Sequence, residues 1–86
     1  MGEGSILIDE SSRAARNPYT PPEVLATLSN HKYWDVRWDV AENPNTSSDT
    51  LASMVNDVDL DVRYRVAENP NTPYGIWVRK VGRVLP

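Results

Sequence analysis

Asp35-Val36-Arg37-Trp38-Asp39-Val40-Ala41-Glu42-Asn43-Pro44-Asn45-Thr46 returns 26 positions later as Asp61-Val62-Arg63-Tyr64-Arg65-Val66-Ala67-Glu68-Asn69-Pro70-Asn71-Thr72. Ten of the twelve positions are identical; the exceptions are Trp38/Tyr64 and Asp39/Arg65. A more divergent copy, Ala15-Arg16-Asn17-Pro18-Tyr19-Thr20, lies 26 positions before Ala41. Self-similarity at a fixed period of roughly 20 to 50 residues marks stacked units that bury their apolar sides on one another. Residues 15–40 and 41–66 are then two complete units and 67–86 a shortened third. Upstream, Asp9 falls in register with Asp35 and Asp61, and Ala14 with Val40 and Val66, so 5–14 reads as a partial N-terminal unit. The expected organisation is one domain over 5–86, preceded by a disordered 1–4.

Each unit reads as two short helices. Thr20-Pro21-Pro22-Glu23 fits a capping box, with Thr20 accepting from the N3 amide, Pro21 at N1 and Glu23 reaching back. Thr46-Ser47-Ser48-Asp49 repeats the idea with a shorter acid, and Thr72-Pro73-Tyr74-Gly75 keeps the cap without the acid. Leu25 and Leu28, like Leu51 and Met54, give the three-residue spacing of a buried stripe. A turn follows at Asn30-His31-Lys32 and at Asn56-Asp57. The second helix is expected from about Trp34 to Glu42 and from about Leu60 to Glu68, stopped by Asn43-Pro44 and Asn69-Pro70. At about 100° per residue, Val36, Val40 and Tyr33 fall on one side, and Asp35, Asp39 and Glu42 on the other. Trp34, Arg37, Trp38 and Ala41 fill the flank between. Helices of two or three turns are unstable alone, so packing between units must hold them.

The string Val36-Arg37-x-x-Val40-Ala41-x-Asn43-Pro44-x-Thr46, followed by Leu51 and Met54 and repeated from Val62 to Thr72, resembles the leucine-rich repeat variant family. More distantly it is similar to HEAT-like repeats, in which an Asp and an Arg recur near the second helix. The resemblance covers roughly residues 9 to 85 and implies an all-α, short right-handed helical-repeat solenoid. Its units would alternate α-helices with 3₁₀ or short α-helices, with no sheet. One member of that family carries an N-terminal cysteine-ligated iron–sulfur cluster; this chain has no Cys, so the cluster is not carried over. What the resemblance implies for function is an interaction scaffold.

Composition narrows the function classes. The chain has 86 residues, 40% hydrophobic and 24% charged, with a net charge of −3. That acidity argues against duplex DNA or an anionic membrane as the main partner. The absence of Cys excludes disulfides and thiolate-ligated metal centres. No apolar run approaches the roughly 18 residues of a membrane span, and Met1-Gly2-Glu3-Gly4-Ser5 lacks a secretory n-region, which predicts a cytoplasmic protein.

Catalytic chemistry has little to work with. The one histidine, His31, sits in a predicted turn with no acid in register, and no nucleophile motif or phosphate-cradling glycine loop appears. Asp57, Asp59, Asp61 and Glu68 imitate positions 1, 3, 5 and 12 of an EF-hand loop. The sixth position, where the loop needs Gly, is Val62 inside a predicted helix. An acidic turn capping that helix is the better account. No catalytic residue, metal or cofactor is expected. Asp35/Asp61 and Arg37/Arg63 recur once per unit, as a structural ladder would, each Arg bonding carbonyls or an acid of the adjacent unit. Asn17, Asn43 and Asn69 are expected to satisfy backbone groups at helix ends. Asn45-Thr46-Ser47 matches a glycosylation sequon, which carries little weight without a secretory signal.

The aromatic residues are the functional lead. Trp34 and Trp38 are four apart and so neighbours on one helical flank, where Leu60 and Tyr64 stand in the next unit. They either fill the core or form an anchor strip; Trp, Tyr and Arg dominate interface hot spots. The expected function is a non-catalytic protein–protein interaction module, with Trp34, Trp38, Tyr64 and Arg37 as its binding strip. Such a chain suits a small modulator that occupies a partner protein, as short phage-encoded proteins do. Two alternatives remain. The apolar C-terminal stretch offers Trp77, Val81, Val84 and Leu85 for self-association into a homodimer. Its Arg79, Lys80 and Arg83 offer the only basic cluster for nucleic acid, a reading weakened by the acidic body.

Overall fold

Proline cannot donate to a helix and pushes the residue before it out of the α region, so each Asn-Pro step stops the helix it follows. The structure, a computed structural model describing residues 10–73, shows the result directly. Residues 10–16 form α1, Pro22–Leu28 α2, Trp34–Glu42 α3, Ser48–Ser53 α4 and Leu60–Glu68 α5. Asn43 and Asn69, the residues after α3 and α5, are extended, with ψ of 128° and 126°. The described residues contain no strand, and none of their helices is long and apolar enough to cross a membrane. The readings of a disordered 1–4, of Trp77, Val81, Val84 and Leu85, and of Arg79, Lys80 and Arg83 fall outside the described residues.

α2 packs on α3, and α3 on α5. The core they enclose consists of Ala15, Leu25, Val36, Val40, Ala41, Leu51, Met54, Val62 and Val66, with Leu28, Trp38 and Val55 packed on it half-buried. These short helices are too small to persist singly, and the burial of Leu and Val from neighbouring segments stabilises them together. The expected stripes are present: Leu25 and Leu51 are fully buried at equivalent positions, as are Val36 and Val62. The described helices are all α-helical, the short-α form of an alternation expected to use either 3₁₀ or short α-helices. Three-residue backbone bonds of the 3₁₀ type occur in the turns, as where Asn30 and His31 donate to Thr27 and Leu28, and Met54 to Leu51.

Three local expectations are corrected. Thr20 does not cap α2: the helix starts one residue later, Pro21 occupies the N-cap with no side-chain bond, and the Thr20 hydroxyl donates to the Ala14 carbonyl (2.6 Å). Thr46 and Thr72 do the same, bonding the carbonyls of Val40 and Val66 six residues back. These threonines are buried, each hydroxyl turned back onto a carbonyl at the end of the preceding helix. Ser47 takes the cap of α4 instead, accepting from the Thr50 amide. Asp39, expected on the solvent side, is buried, and Tyr33, expected on the apolar side, is exposed. Tyr33 stands in extended conformation before α3 and so escapes the helical phase on which that expectation was built.

The Asn residues connect the units. Asn43 Nδ2 donates to the carbonyls of Ala15 (2.7 Å) and Asn17 (2.9 Å), while its Oδ1 accepts from the Asn45 amide (2.8 Å). Asn69 repeats all three with Ala41 (2.8 Å), Asn43 (3.1 Å) and Asn71 (2.9 Å). Asn45 and Asn71 add a second tie, donating to the Thr20 and Thr46 carbonyls respectively. The amide therefore closes its own turn with its oxygen and fastens the preceding helix end with its nitrogen. Only a side chain with a donor and an acceptor on one short stem can do both. Replacing Asn43 by Ala leaves two acceptors without this donor and should cost about 3 kcal/mol in urea unfolding. Asn43→Asp, nearly identical in shape, should cost more at pH 7, because a carboxylate then faces two carbonyls, and should recover partly on acidification. Equal midpoints for wild type and Asn43→Asp at neutral pH would refute this account.

Candidate functional site

A helix exposes the arc of positions that its packing leaves over, and the 26-residue period puts the same arc on α3 and α5. On α3 the arc carries Trp34, Asp35, Trp38 and Glu42; on α5 it carries Leu60, Asp61, Tyr64 and Glu68. Trp34 is 48% exposed, Leu60 66% and Tyr64 65%. Trp38 differs from them, since it is half-buried against the core. Its ring is covered by the Arg65 guanidinium, 4.8 Å from the centroid, in a cation–π contact. Arg65 is itself held by Glu68 (2.8 Å) and approaches Glu42 (4.0 Å). The structure therefore brings Trp34, Trp38 and Tyr64 onto one face formed by adjacent helices. Sequence reading extended the strip to Leu60 and Tyr64 but left Arg65 out. Arg65 was signalled by a sign change: Arg16 stands near Asp39 (3.9 Å), and 26 residues on the pair is inverted, with Glu42 near Arg65.

Arg37 serves elsewhere. Its side chain is only 12% exposed, and the guanidinium makes a fork with the Asp57 carboxylate, Nε to Oδ2 at 2.8 Å and Nη2 to Oδ1 at 3.1 Å. Nη1 donates to the His31 carbonyl at 2.7 Å. Arg63 Nη1 donates likewise to the Asp57 carbonyl at 2.6 Å. The expected ladder is seen in part: each Arg binds the turn before its own helix, and of the two only Arg37 also binds an acid of the next unit among the described residues. A bidentate pair with little exposure fixes geometry as well as charge. Arg37 thus braces the start of α3 against the following turn.

The acidic run has local work. Asp57 Oδ1 also accepts from the Asp59 amide (2.9 Å), and Asp59 caps α5 by accepting from the amides of Asp61 and Val62. Val62 lies inside α5, so residues 57–68 do not form the loop that a calcium site would need. His31 is half-buried in its turn, its Nδ1 accepting from the Tyr33 amide (3.2 Å) and its ring 5.5 Å from that of Tyr33. His31 and Lys32 line an open groove of about 490 Å³ with Met54 and Val58, and the Arg37–Asp57 pair forms part of its wall. Its strongest polar groups are already bound to each other, so the groove offers a ligand little. No group of three or more His, Asp or Glu side chains that could hold a metal occurs among the described residues.

Burial raises the Asp39 pKa above the ordinary value of 3.8; Arg16 opposes the shift, while Glu42 and Asp35 add to it. Comparison with protein-family models, with curated proteins and with solved structures finds no match. The functional reading accordingly rests on the residues themselves.

Two variants test this geometry. Arg37→Lys keeps the charge but loses the fork and should lower stability by about 2 kcal/mol, whereas Lys32→Ala on the exposed turn should have little effect. Chemical denaturation of both decides it. For Asp39 the sign follows from the raised pKa. The folded state favours the protonated form, so this stabilisation is full below about pH 3.8 and is lost as pH rises through the higher folded-state value. Asp39→Asn should therefore be more stable than wild type at pH 7, with the difference shrinking at low pH. A stability difference independent of pH would contradict the assignment.

Proposed function

We propose that this chain is a non-catalytic protein-binding module, a short right-handed solenoid of leucine-rich-variant type whose α3–α5 face is the binding strip. The observation that supports it best is the outward placement of Trp34 and Leu60 at corresponding positions of adjacent helices, with the exposed Tyr64 one turn beyond Leu60. Apolar and aromatic side chains left in water at matched positions cost solubility, and a partner that covers them recovers the apolar burial. Aromatic anchors on a rigid helical surface lose little side-chain entropy on binding and commonly form hot spots. Trp38 supports the strip from beneath, while Arg37 positions α3 within the stack. The reading makes the module a small modulator that acts by occupying another protein in the cytoplasm. A second reading, self-association through the C-terminal stretch, has in its favour the apolar content of residues 76–85 in the sequence.

Capture from lysate of the source cell, followed by titration of the purified partner, tests the strip. Trp34→Ala and Tyr64→Ala should each weaken partner binding by about tenfold or more without changing helicity or the unfolding midpoint. Trp38→Ala should lower both affinity and stability, since its ring is partly core. Undiminished binding by Trp34→Ala and Tyr64→Ala would place the site elsewhere. A sedimentation profile that shifts with concentration would favour self-association.

A further inference from the structure

We infer that the α3–α5 face is selective for a basic, apolar segment of its partner, in which Lys or Arg side chains flank aliphatic or aromatic ones; this rests on the protein-binding reading above. The charges of the face are predominantly acidic. Its outward positions hold three apolar or aromatic residues, Trp34, Leu60 and Tyr64, and four acids, Asp35, Glu42, Asp61 and Glu68, with Arg65 lying over the half-buried Trp38 between them. Arg37 is drawn into the fork with Asp57 and Arg63 onto the Asp57 carbonyl, while Arg65 stays partly exposed on the face, where Glu68 and the Trp38 ring occupy its guanidinium. Glu42 and Glu68 share Arg65, which leaves Asp35 and Asp61 exposed and without an ion pair among the described residues.

Each of these two carboxylates immediately follows an exposed apolar residue, Asp35 after Trp34 and Asp61 after Leu60. The face therefore repeats one element, an apolar contact beside an unpaired acid, once per unit. A partner matching it needs the same alternation with cations in place of acids. Packed helices lie about 10 Å apart, so the two cations should be spaced by about that distance, seven residues apart on a helical segment at about 1.5 Å per residue. Lys and Arg meet both requirements, their aliphatic stems lying on Trp34 and Tyr64 while the charge reaches a carboxylate or an aromatic face. The same four acids repel phosphate, so neither nucleic acid nor an anionic lipid surface fits this face.

The test titrates the full-length protein with two synthetic helical peptides that differ only in charge. One carries Lys seven residues apart around a Leu pair, and the other carries Glu at those positions. Backbone amide shifts locate the contact and tryptophan fluorescence measures affinity. The Lys peptide should bind on α3 and α5, and its affinity should fall as salt is raised. The double variant Asp35→Asn/Asp61→Asn should weaken it by about tenfold, while Asp35→Glu/Asp61→Glu, which keeps the charges, should retain it. Circular dichroism guards against loss of fold. Equal binding of the Glu peptide, or no effect of the Asn pair, would overturn the charge selectivity and leave the protein-binding reading standing. So would failure of both peptides while the captured partner still depends on Trp34 and Tyr64. If the partner binds without need of Trp34 or Tyr64, the protein-binding strip itself fails and this inference with it.

Discussion

A helix that ends at an Asn-Pro step leaves carbonyls without amides, because proline brings no N–H and the residue before it has left the helical region. In this protein the following unit supplies the missing donors. Asn43 reaches back to Ala15 and Asn17, and Asn69 to Ala41 and Asn43, while the Thr20, Thr46 and Thr72 hydroxyls close the same helix ends from within. Two of these links share a residue: the Asn43 carbonyl that receives Asn69 belongs to the residue that itself binds Ala15. Buried polar groups are costly when unpaired, so no unit can shift along its neighbour without exposing or orphaning them. Hydrophobic burial between Leu and Val provides the attraction, and the asparagines provide the register.

This division explains what the sequence revealed. The limits of α3 and α5 were legible because Pro44 and Pro70 are covalent stops that act whatever surrounds them. The core leucines and valines were legible because spacing and apolarity agree. The start of α2 was misread because Thr20 has two possible acceptor and donor roles, and the choice depends on a carbonyl six residues back that a linear reading does not place nearby. Asp39 was misread for a related reason. Helical phase assigns it a direction, but only the approach of the preceding segment, with Arg16, decides whether that direction is solvent.

The candidate site was legible in part, and along the same division. The pairing of Trp34 with Trp38, and of both with the following unit, came from period and spacing. The separation of Trp38 from Trp34 did not, since one ring is covered by a guanidinium that belongs to α5. Arg37 looked like a natural member of an aromatic strip, yet a single acidic residue 20 positions on draws it inward. The residue types commonest in binding surfaces are also those that brace small folds, and the partner of each side chain distinguishes the two.

The inversion of charge between the two junctions carries the last step. Arg16 lies near Asp39 and, one unit later, Glu42 lies near Arg65, so the pair is preserved while its polarity reverses. A unit displaced by one period would set Arg16 beside Arg65 or Glu42 beside Asp39, and like charges at such a junction repel. The reversal also decides the character of the surface. Placing the base at position 65 rather than 42 sets it over Trp38 in the grip of Glu68 and leaves Asp35 and Asp61 as exposed carboxylates without an ion pair among the described residues. The same exchange that distinguishes one junction from the other thus leaves the exposed face with an excess of acids.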